Sequence, residues 1–361
     1  MEYYTYKKYN NEYNYNNNDN SDDYYSSRSI RAKGVMGLKN INNYSCFMNS
    51  SLQCLSHIKP LYNKIFEIKQ LKHLGLSFFE LLVKMYGDNK DDKYFIPINI
   101  LYEISSYYSE YKENRQQGAN EFISNFLTAF HEELNSPIYP VKIFDIPQEP
   151  LKQKFLKKYE FYKKNRSIII DYFYGNILYL TKCPKCNNNI SALFSIFNIL
   201  ELSIYPLKDR KTITLKQLID SYSSNQSTNY TILCNQCKNQ VRPYTKSELI
   251  HIPEILIIYI NKVIDHKYYD NNINFPNELY LQDYNSFDKS KASNCYNLIG
   301  LIEHFGTESE GHYIAKCKNF IDGNWYKFDD ILAKKTEMPK NNDKTTDSSS
   351  VMILFYQKDN I

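Results

Sequence analysis

Two CxxC pairs, Cys183-Pro184-Lys185-Cys186 and Cys234-Asn235-Gln236-Cys237, constrain the fold of this chain more than any other feature. Each pair offers two sulfurs at a tight turn, and together they supply the four thiolates of one tetrahedral structural zinc. The intervening residues, 187–233, exceed the usual ribbon spacing, so the chain must run out and back in strands. The alternating apolar segment 192–204 and the Thr-rich stretch near Ile232 can do that. Four sulfurs around the ion leave no open position for catalysis. Redox cysteines are the alternative for the same pairs.

Charge and composition narrow the classes further. The net charge of +4 on 361 residues argues against an obligate nucleic-acid role, and 42% hydrophobic with 16% aromatic residues is ample for a core. The basic run Lys152 to Arg166 is interleaved with Phe155, Leu156, Tyr159, Phe161 and Tyr162, which predicts an amphipathic helix with a solvated lysine face. No run reaches the roughly 18 apolar residues of a membrane span, and the N-terminus lacks a signal-peptide core, so a soluble, intracellular protein is expected. Eight cysteines in such a chain point to metal binding or catalysis in preference to disulfides.

Along the chain, residues 1–33 are rich in Asn, Tyr and Ser and nearly free of aliphatic residues, which predicts a disordered extension. Helical spacing follows at 65–71, 76–85 and 98–108. It is clearest in the stripe Ala119, Phe122, Ile123, Phe126, Leu127, Phe130 and Leu134, with Gly118 as N-cap and Glu121 as capping-box carboxylate. After about residue 167 the texture turns to strands: 167–173, 177–183, 192–204, 254–260, 296–304 and 351–356, with 337–350 as a polar loop. Helices first and strands later imply an α+β fold whose halves meet at a cleft.

Within the helical half, Cys46 follows a turn-prone Asn, Tyr and Ser run and opens a segment with Phe47, Met48, Leu52 and Leu55 at helical spacing; Ser45 is placed as its N-cap. A first-turn cysteine is stabilised as thiolate by unsatisfied amides. It needs a base, and the base needs an orienting group. Among seven histidines, His57, His73 and His131 lie in helical apolar runs, His251 precedes a strand and His266 sits in a polar turn. His304 and His312 bracket a glycine-bounded acidic loop between strands, which places His312 at a sheet rim.

The segment Gly37 to Leu55 resembles the Cys box of the ubiquitin-specific protease family, GLxNLGNTCYMNSxLQxL, with one extra residue between Asn40 and Cys46, as if Tyr44 were inserted. His304-Phe305-Gly306 and Gly311-His312-Tyr313 resemble the family's His box, and Trp325 to Asp330 its WxxFDD run. Gln116-Gln117-Gly118-Ala119-Asn120-Glu121-Phe122 resembles QQDAxEF, with Gly118 where an Asp usually contacts the ubiquitin tail. Ile252 to Tyr259, Asn274-Phe275-Pro276 and Ile353 to Tyr356 resemble further family strands, so the likeness spans about residues 34–358.

The resemblance implies a papain-like cysteine protease fold with a helical thumb (about 34–166), zinc-bearing β fingers (about 175–250) and a β palm. It implies Cys46 as nucleophile, His312 as base, Asp329 as orienting carboxylate, Asp330 as auxiliary acid and Asn40 in the oxyanion hole. Gln116, Gln117, Glu121, His304 and Tyr313 would meet substrate, and Cys183, Cys186, Cys234 and Cys237 would hold zinc at the finger tip. The implied partners are ubiquitin and ubiquitinated proteins, the expected state a monomer, with neither nucleic acid nor membrane. Loss of the carboxylate at Gly118 implies a weaker hold on the tail or a compensating group nearby. A binding-only descendant and a zinc-ribbon interaction module are the rival readings.

One geometric consequence can be stated in advance. A two-residue turn at Asp322-Gly323 would set Asp329 opposite Lys316, about 13 Å along the strand from His312. A triad instead requires a longer loop, with the ladder centred nearer Asn319 to Phe320.

Overall fold

The computed structural model describes residues 32–88, 92–141, 152–285, 294–306, 310–339 and 348–359. Apart from residues 32 and 33, the expected disordered extension lies outside them, as does residues 340–347 of the polar loop.

Helix α1, Cys46–Ser56, is buried along its whole length. Its apolar residues are interspersed with polar ones, several of which bond within the protein: Ser50 and Ser51 hydroxyls donate to the Phe47 carbonyl and Gln53 Nε2 to the Met36 carbonyl. A helix buried all round is a core helix, and α1 packs on α5, Ala119–Leu134, and on the palm strand Gly311–Lys318. The other thumb helices are α2, Lys59–Glu67, α3, His73–Tyr86, and α4, Ile98–Tyr107. Helix α2 starts six residues before the expected 65–71, because Pro60 fits the first turn, where its missing N–H costs nothing. The α5 stripe is buried as expected from Ala119 to Phe130, and Gly118 is its extended N-cap, but Glu121 makes no capping bond.

Helix α6, Lys152–Lys164, realises the basic amphipathic run, and Tyr162 is buried with its hydroxyl donating to Asn176. The next segment overturns the sequence reading: 167–173 is not a strand but helix α7, Ile168–Phe173. Ser167 caps it by accepting from the Ile170 amide, and Ile168, Ile169 and Ile170 are all buried, so the cap and three-sided packing override their β preference.

Two larger sheets, with several two-stranded ones among the described residues, complete the fold. The finger sheet runs Asn189–Phe197, Gly175–Lys182, Tyr244–His251, Gln226–Ser227. The palm sheet runs Leu332–Thr336, Trp325–Asp329, Gly311–Lys318, Cys295–Gly306, Val351–Lys358, Ile255–Asn261, Leu200–Ser203, with Glu278–Tyr280 added beside Cys295–Gly306. The expected single strand 192–204 is therefore two. It breaks at Asn198 and Ile199, the first part staying in the fingers and the second pairing in parallel with Ile258 to Asn261 in the palm. Its period-two pattern survives because Phe194, Leu200, Leu202 and Ile204 are buried in both settings. Helix α8, Leu215–Ser223, bridges the sheets with a full capping box from Thr214 and Gln217. Among the described residues, no helix is long and apolar enough to cross a membrane.

The hairpin between Gly311–Lys318 and Trp325–Asp329 pairs Ala315 with Phe328 and Lys318 with Trp325. Its loop is 319–324, which excludes the two-residue turn; the Asn319 and Asn324 backbones close it, and its centre falls at Ile321 and Asp322, one to two residues later than expected. Asp329 thus lies across from Ile314, diagonal to His312 on the same face, within side-chain reach.

The chain entering α1 is fixed against this hairpin. Strand Gly37–Leu38 pairs with Tyr94–Phe95, and the Leu38 amide donates to the Asp330 carbonyl at 2.8 Å. A Cβ on Gly37 would collide with the backbone of Ile331, which cannot yield without opening the hairpin end. Gly37→Ala is therefore expected to cost about 1–3 kcal/mol in urea unfolding; an unchanged midpoint would contradict this close approach.

Candidate active site and metal centre

Cys46 is the first residue of α1 and is buried. Ser45 does not cap the helix as expected; its hydroxyl accepts from the Ile41 amide at 2.7 Å and lies 3.3 Å from Asn40 Oδ1. That bond belongs to a tight 3-10 turn, Ile41–Asn43, in which Asn42 (φ 52°) and Asn43 (φ 62°) adopt the left-handed conformation. Asparagine tolerates this backbone better than most residues. The extra residue before Cys46 is absorbed there, with Tyr44 turned outward.

The first-turn thiol meets His312, which opens strand Gly311–Lys318 on the other half of the molecule. The imidazole holds Asp329 Oδ1 at 2.7 Å through Nε2, and the Cys46 thiol is near enough to shift its charge, which leaves Nδ1 as the nitrogen for sulfur. The Asp329 bond, followed by the nearby Cys46, raises the His312 pKa to about 10 against the opposing effect of burial. Asp329 is held below its usual range, mainly by the His312 hydrogen bond, with Lys327 3.7 Å away adding to it. The structure thus brings Cys46, His312 and Asp329 together.

Asp330 occupies a different role from a second orienting acid. It stands 4.0 Å from His312, while its two carboxylate oxygens accept from Asn49 Nδ2 at 2.8 Å and Asn40 Nδ2 at 2.9 Å. Burial raises its pKa despite those donors. Asn40 Oδ1 accepts from the Ser45 amide at 2.8 Å, so both ends of the Asn40 side chain are fixed and one N–H remains for other use. Asn49 also donates to the Leu38 carbonyl. Sequence reasoning passed over Asn49; its only signal was an amide buried in an otherwise packed helix, one turn after Cys46.

Gln116 makes a reciprocal pair with Gly311: its Nε2 donates to the carbonyl at 2.7 Å and its Oε1 accepts from the amide at 2.9 Å. The residue before His312 is thereby tied to the loop entering α5. Gln117 turns away, donating to the Glu110 carbonyl. His304 is buried against Tyr313, ring centroids 4.3 Å apart, and burial, then the charge of His312, lowers its pKa. A Cβ on Gly311 would strike the His304 ring, so that position needs glycine. Tyr313 is buried, and burial raises its pKa. Glu121 lies apart from the triad, in a cleft of about 560 Å³ lined also by Glu110, Asn120, Asn125, Glu201 and Tyr259.

The four finger cysteines converge. Their sulfurs lie within 4.8 Å of one another, Cys183 to Cys237 at 3.8 Å and Cys186 to Cys234 at 3.7 Å. Four ligands at about 2.3 Å from one ion would stand about 3.8 Å apart, and a disulfide would require about 2.05 Å, so the spacing fits a tetrahedral metal. Both turns are alike: Asn187 and Lys238 are left-handed and bond back to Cys183 and Cys234, whose amides donate to the Asn188 and Asn239 carbonyls. The backbone and side chain of Asn239 lower Cys237 to about 6, whereas at Cys186 the Asn188 backbone bond is outweighed by desolvation and then by the three neighbouring sulfurs, which push it up to about 12. Four adjacent sulfurs cannot all ionise without a cation.

A family model described as ubiquitin carboxyl-terminal hydrolase matches residues 36–356. Ubiquitin carboxyl-terminal hydrolase Usp2 of Drosophila melanogaster is 29% identical over 359 residues, covering 94% of this chain and 37% of the relative. The Homo sapiens ubiquitin carboxyl-terminal hydrolase 2 is 27% identical, covering 91% of this chain and 56% of the relative. The chain therefore spans only about two fifths to just over half of these relatives. In structure it is similar to the SAGA Ubp8/Sgf11/Sus1/Sgf73 DUB module bound to ubiquitin aldehyde, with a TM-score of 0.71 at 23% identity, covering 91% of this chain and 70% of that one. The same module bound to monoubiquitin gives 0.71 at 22% identity, with the same coverage. The fold is accordingly the papain-like thumb, palm and fingers that the motifs implied, and the chain belongs to the ubiquitin carboxyl-terminal hydrolase family.

Proposed function

We propose that this chain is a thiol-dependent deubiquitinase that hydrolyses the isopeptide or peptide bond after the C-terminal glycine of ubiquitin. The observation that carries this is the His312–Asp329 hydrogen bond with the Cys46 thiol close enough to raise the ring's pKa, residues drawn from distant parts of a chain of this family. Cys46 attacks the glycine carbonyl as thiolate, with His312 as its imidazolium partner. His312 then protonates the departing amine, and water, deprotonated by the same ring, releases the acyl-enzyme. Asp329 holds the ring by its Nε2, and the Cys46 amide with the remaining Asn40 N–H stabilises the oxyanion. Asp330 acts through Asn40, as the acceptor that sets its amide.

Substrate reaches the thiol past Gln116, His304 and Tyr313, with Gln117 contributing only indirectly through its bond to the Glu110 carbonyl. The carboxylates of Glu110, Glu121 and Glu201 in the neighbouring cleft compensate for the acid absent at Gly118. The thumb occupies about 34–166, the fingers about 175–250 and the palm the remaining strands to 358. Zinc on Cys183, Cys186, Cys234 and Cys237 supplies a closed structural clamp on the finger tip and takes no part in the reaction. The partners are ubiquitin and ubiquitinated proteins. One chain supplies every reacting group, consistent with action as a monomer, and eight free cysteines suit a reducing, intracellular setting.

Ubiquitin bearing a C-terminal electrophile should form a covalent adduct with the protein that is absent in Cys46→Ala and slowed roughly 10²–10⁴-fold in Asp329→Asn. No adduct from folded, metal-loaded protein would contradict the reaction and leave ubiquitin binding without cleavage. Elemental analysis should find one zinc per chain, lost in Cys234→Ser together with a drop in melting temperature. A metal-free protein melting at the same temperature as the loaded one would exclude the structural zinc.

A further inference from the structure

Below the triad, the two halves of the molecule meet through a second pair of sulfurs that the proposed chemistry does not use. Cys54 lies on α1 roughly two turns past Cys46, and Cys317 lies on the strand that begins with His312. Both are buried, with their sulfurs 3.6 Å apart. Beside them stands His57, also buried. Its Nδ1 is 2.7 Å from the Gln53 carbonyl and must therefore carry the proton, while its Nε2 has no conventional hydrogen-bond partner. That orphaned nitrogen lies next to Cys317.

We propose that Cys54 and Cys317 are a hydroperoxide-responsive dithiol, with His57 as its proton partner, that closes into a disulfide joining the nucleophile-bearing helix to the base-bearing strand. The two sulfurs are not equivalent. Cys317 Sγ donates to Cys54 Sγ, and the Cys54 thiol is directed to the Leu301 carbonyl at 3.7 Å. Burial disfavours the Cys317 thiolate, but the contacts with Cys54 and the His57 imidazole outweigh it and lower its pKa; burial, then Cys317, pushes Cys54 well up. Cys317 is thus the attacking thiolate and Cys54 the resolving thiol.

The chemistry balances without a further reagent. Cys317 passes its proton to His57 Nε2, and the resulting thiolate attacks one peroxide oxygen, forming a sulfenic acid; the other oxygen leaves as hydroxide and takes that same proton from His57 Nε2 to become water. Cys54 sulfur then attacks the sulfenic sulfur, its proton passing to the departing hydroxyl, which leaves as a second water. Two thiols lose two hydrogens and two electrons, and one hydroperoxide is reduced. Burial restricts access to small oxidants, and the existing contact requires the sulfurs to close from 3.6 Å to about 2.05 Å.

The test uses full-length Cys46→Ala protein, which removes the competing nucleophile and makes the readout independent of the proposed hydrolase activity. It is treated with equimolar hydrogen peroxide, alkylated under denaturing conditions and digested without reductant. The expected product joins the Cys54 and Cys317 peptides, is lighter by two hydrogens than their sum, and separates on dithiothreitol. Recovery of the two peptides apart, alkylated or singly oxidised, would overturn the proposal. In a Cys54→Ala second variant, Cys317 should be trapped by dimedone as a sulfenic acid; absence of trapping in the folded variant would equally count against it.

Discussion

One carboxylate, that of Asp330, holds the proposed catalytic arrangement together. It sits at the end of the palm hairpin in a left-handed conformation (φ 49°), which turns the chain sharply after Asp329. Its side chain binds amides from both sides of the Cys46 turn, Asn40 before it and Asn49 after it, while its backbone carbonyl accepts from Leu38. Three bonds thus clamp the start of α1 to the strand end that carries Asp329. Part-buried hydrogen bonds to a carboxylate are directional and costly to leave unmade, so the register of helix against hairpin is fixed at the point where the chemistry would occur.

A second clamp works from the opposite side. Gln116 holds both backbone groups of Gly311, immediately before His312, and α1 packs along the same strand below. The base is therefore positioned by backbone held at both ends, and Asp329 need only span a diagonal on one sheet face to reach it. The buried pair Lys316 and Glu303, 2.9 Å apart, pins this strand to its neighbour deeper in the palm. Rigid elements carry the triad, while residues 307–309, between His304 and His312, lie outside the described structure.

The proposed reacting residues were legible chiefly through the family motifs that contain them; local pattern alone marked only a thiol at a helix start and an imidazole at a strand rim, and Asp329 came with the motif. The zinc-type turns were legible from their CxxC spacing. The clamps were not. Asn40 with Asp330 spans 290 positions and Gln116 with Gly311 spans 195, and neither pairing leaves a periodic trace in the chain. Local preference also misled where tertiary packing outweighed it: three isoleucines read as a strand became helix α7 once Ser167 capped it, and one alternating run served two sheets. Ser45 looked like a cap because of its place before a helix, but the inserted turn claimed its hydroxyl.

The alignment of thumb and palm is tested most directly by the charge on His312. Asp329 and Cys46 raise its pKa to about 10, so the protonated ring is favoured in the folded protein; the stability this confers is complete below the ordinary histidine value near 6.5 and fades as pH rises through about 10. Its imidazole resonances can be followed by NMR across this range and assigned by their loss in His312→Gln. A ring that stays protonated well above neutrality, and titrates lower in Asp329→Asn, is the predicted result. Titration near 6.5, unmoved by Asp329→Asn, would mean that sulfur, imidazole and carboxylate do not form one linked system.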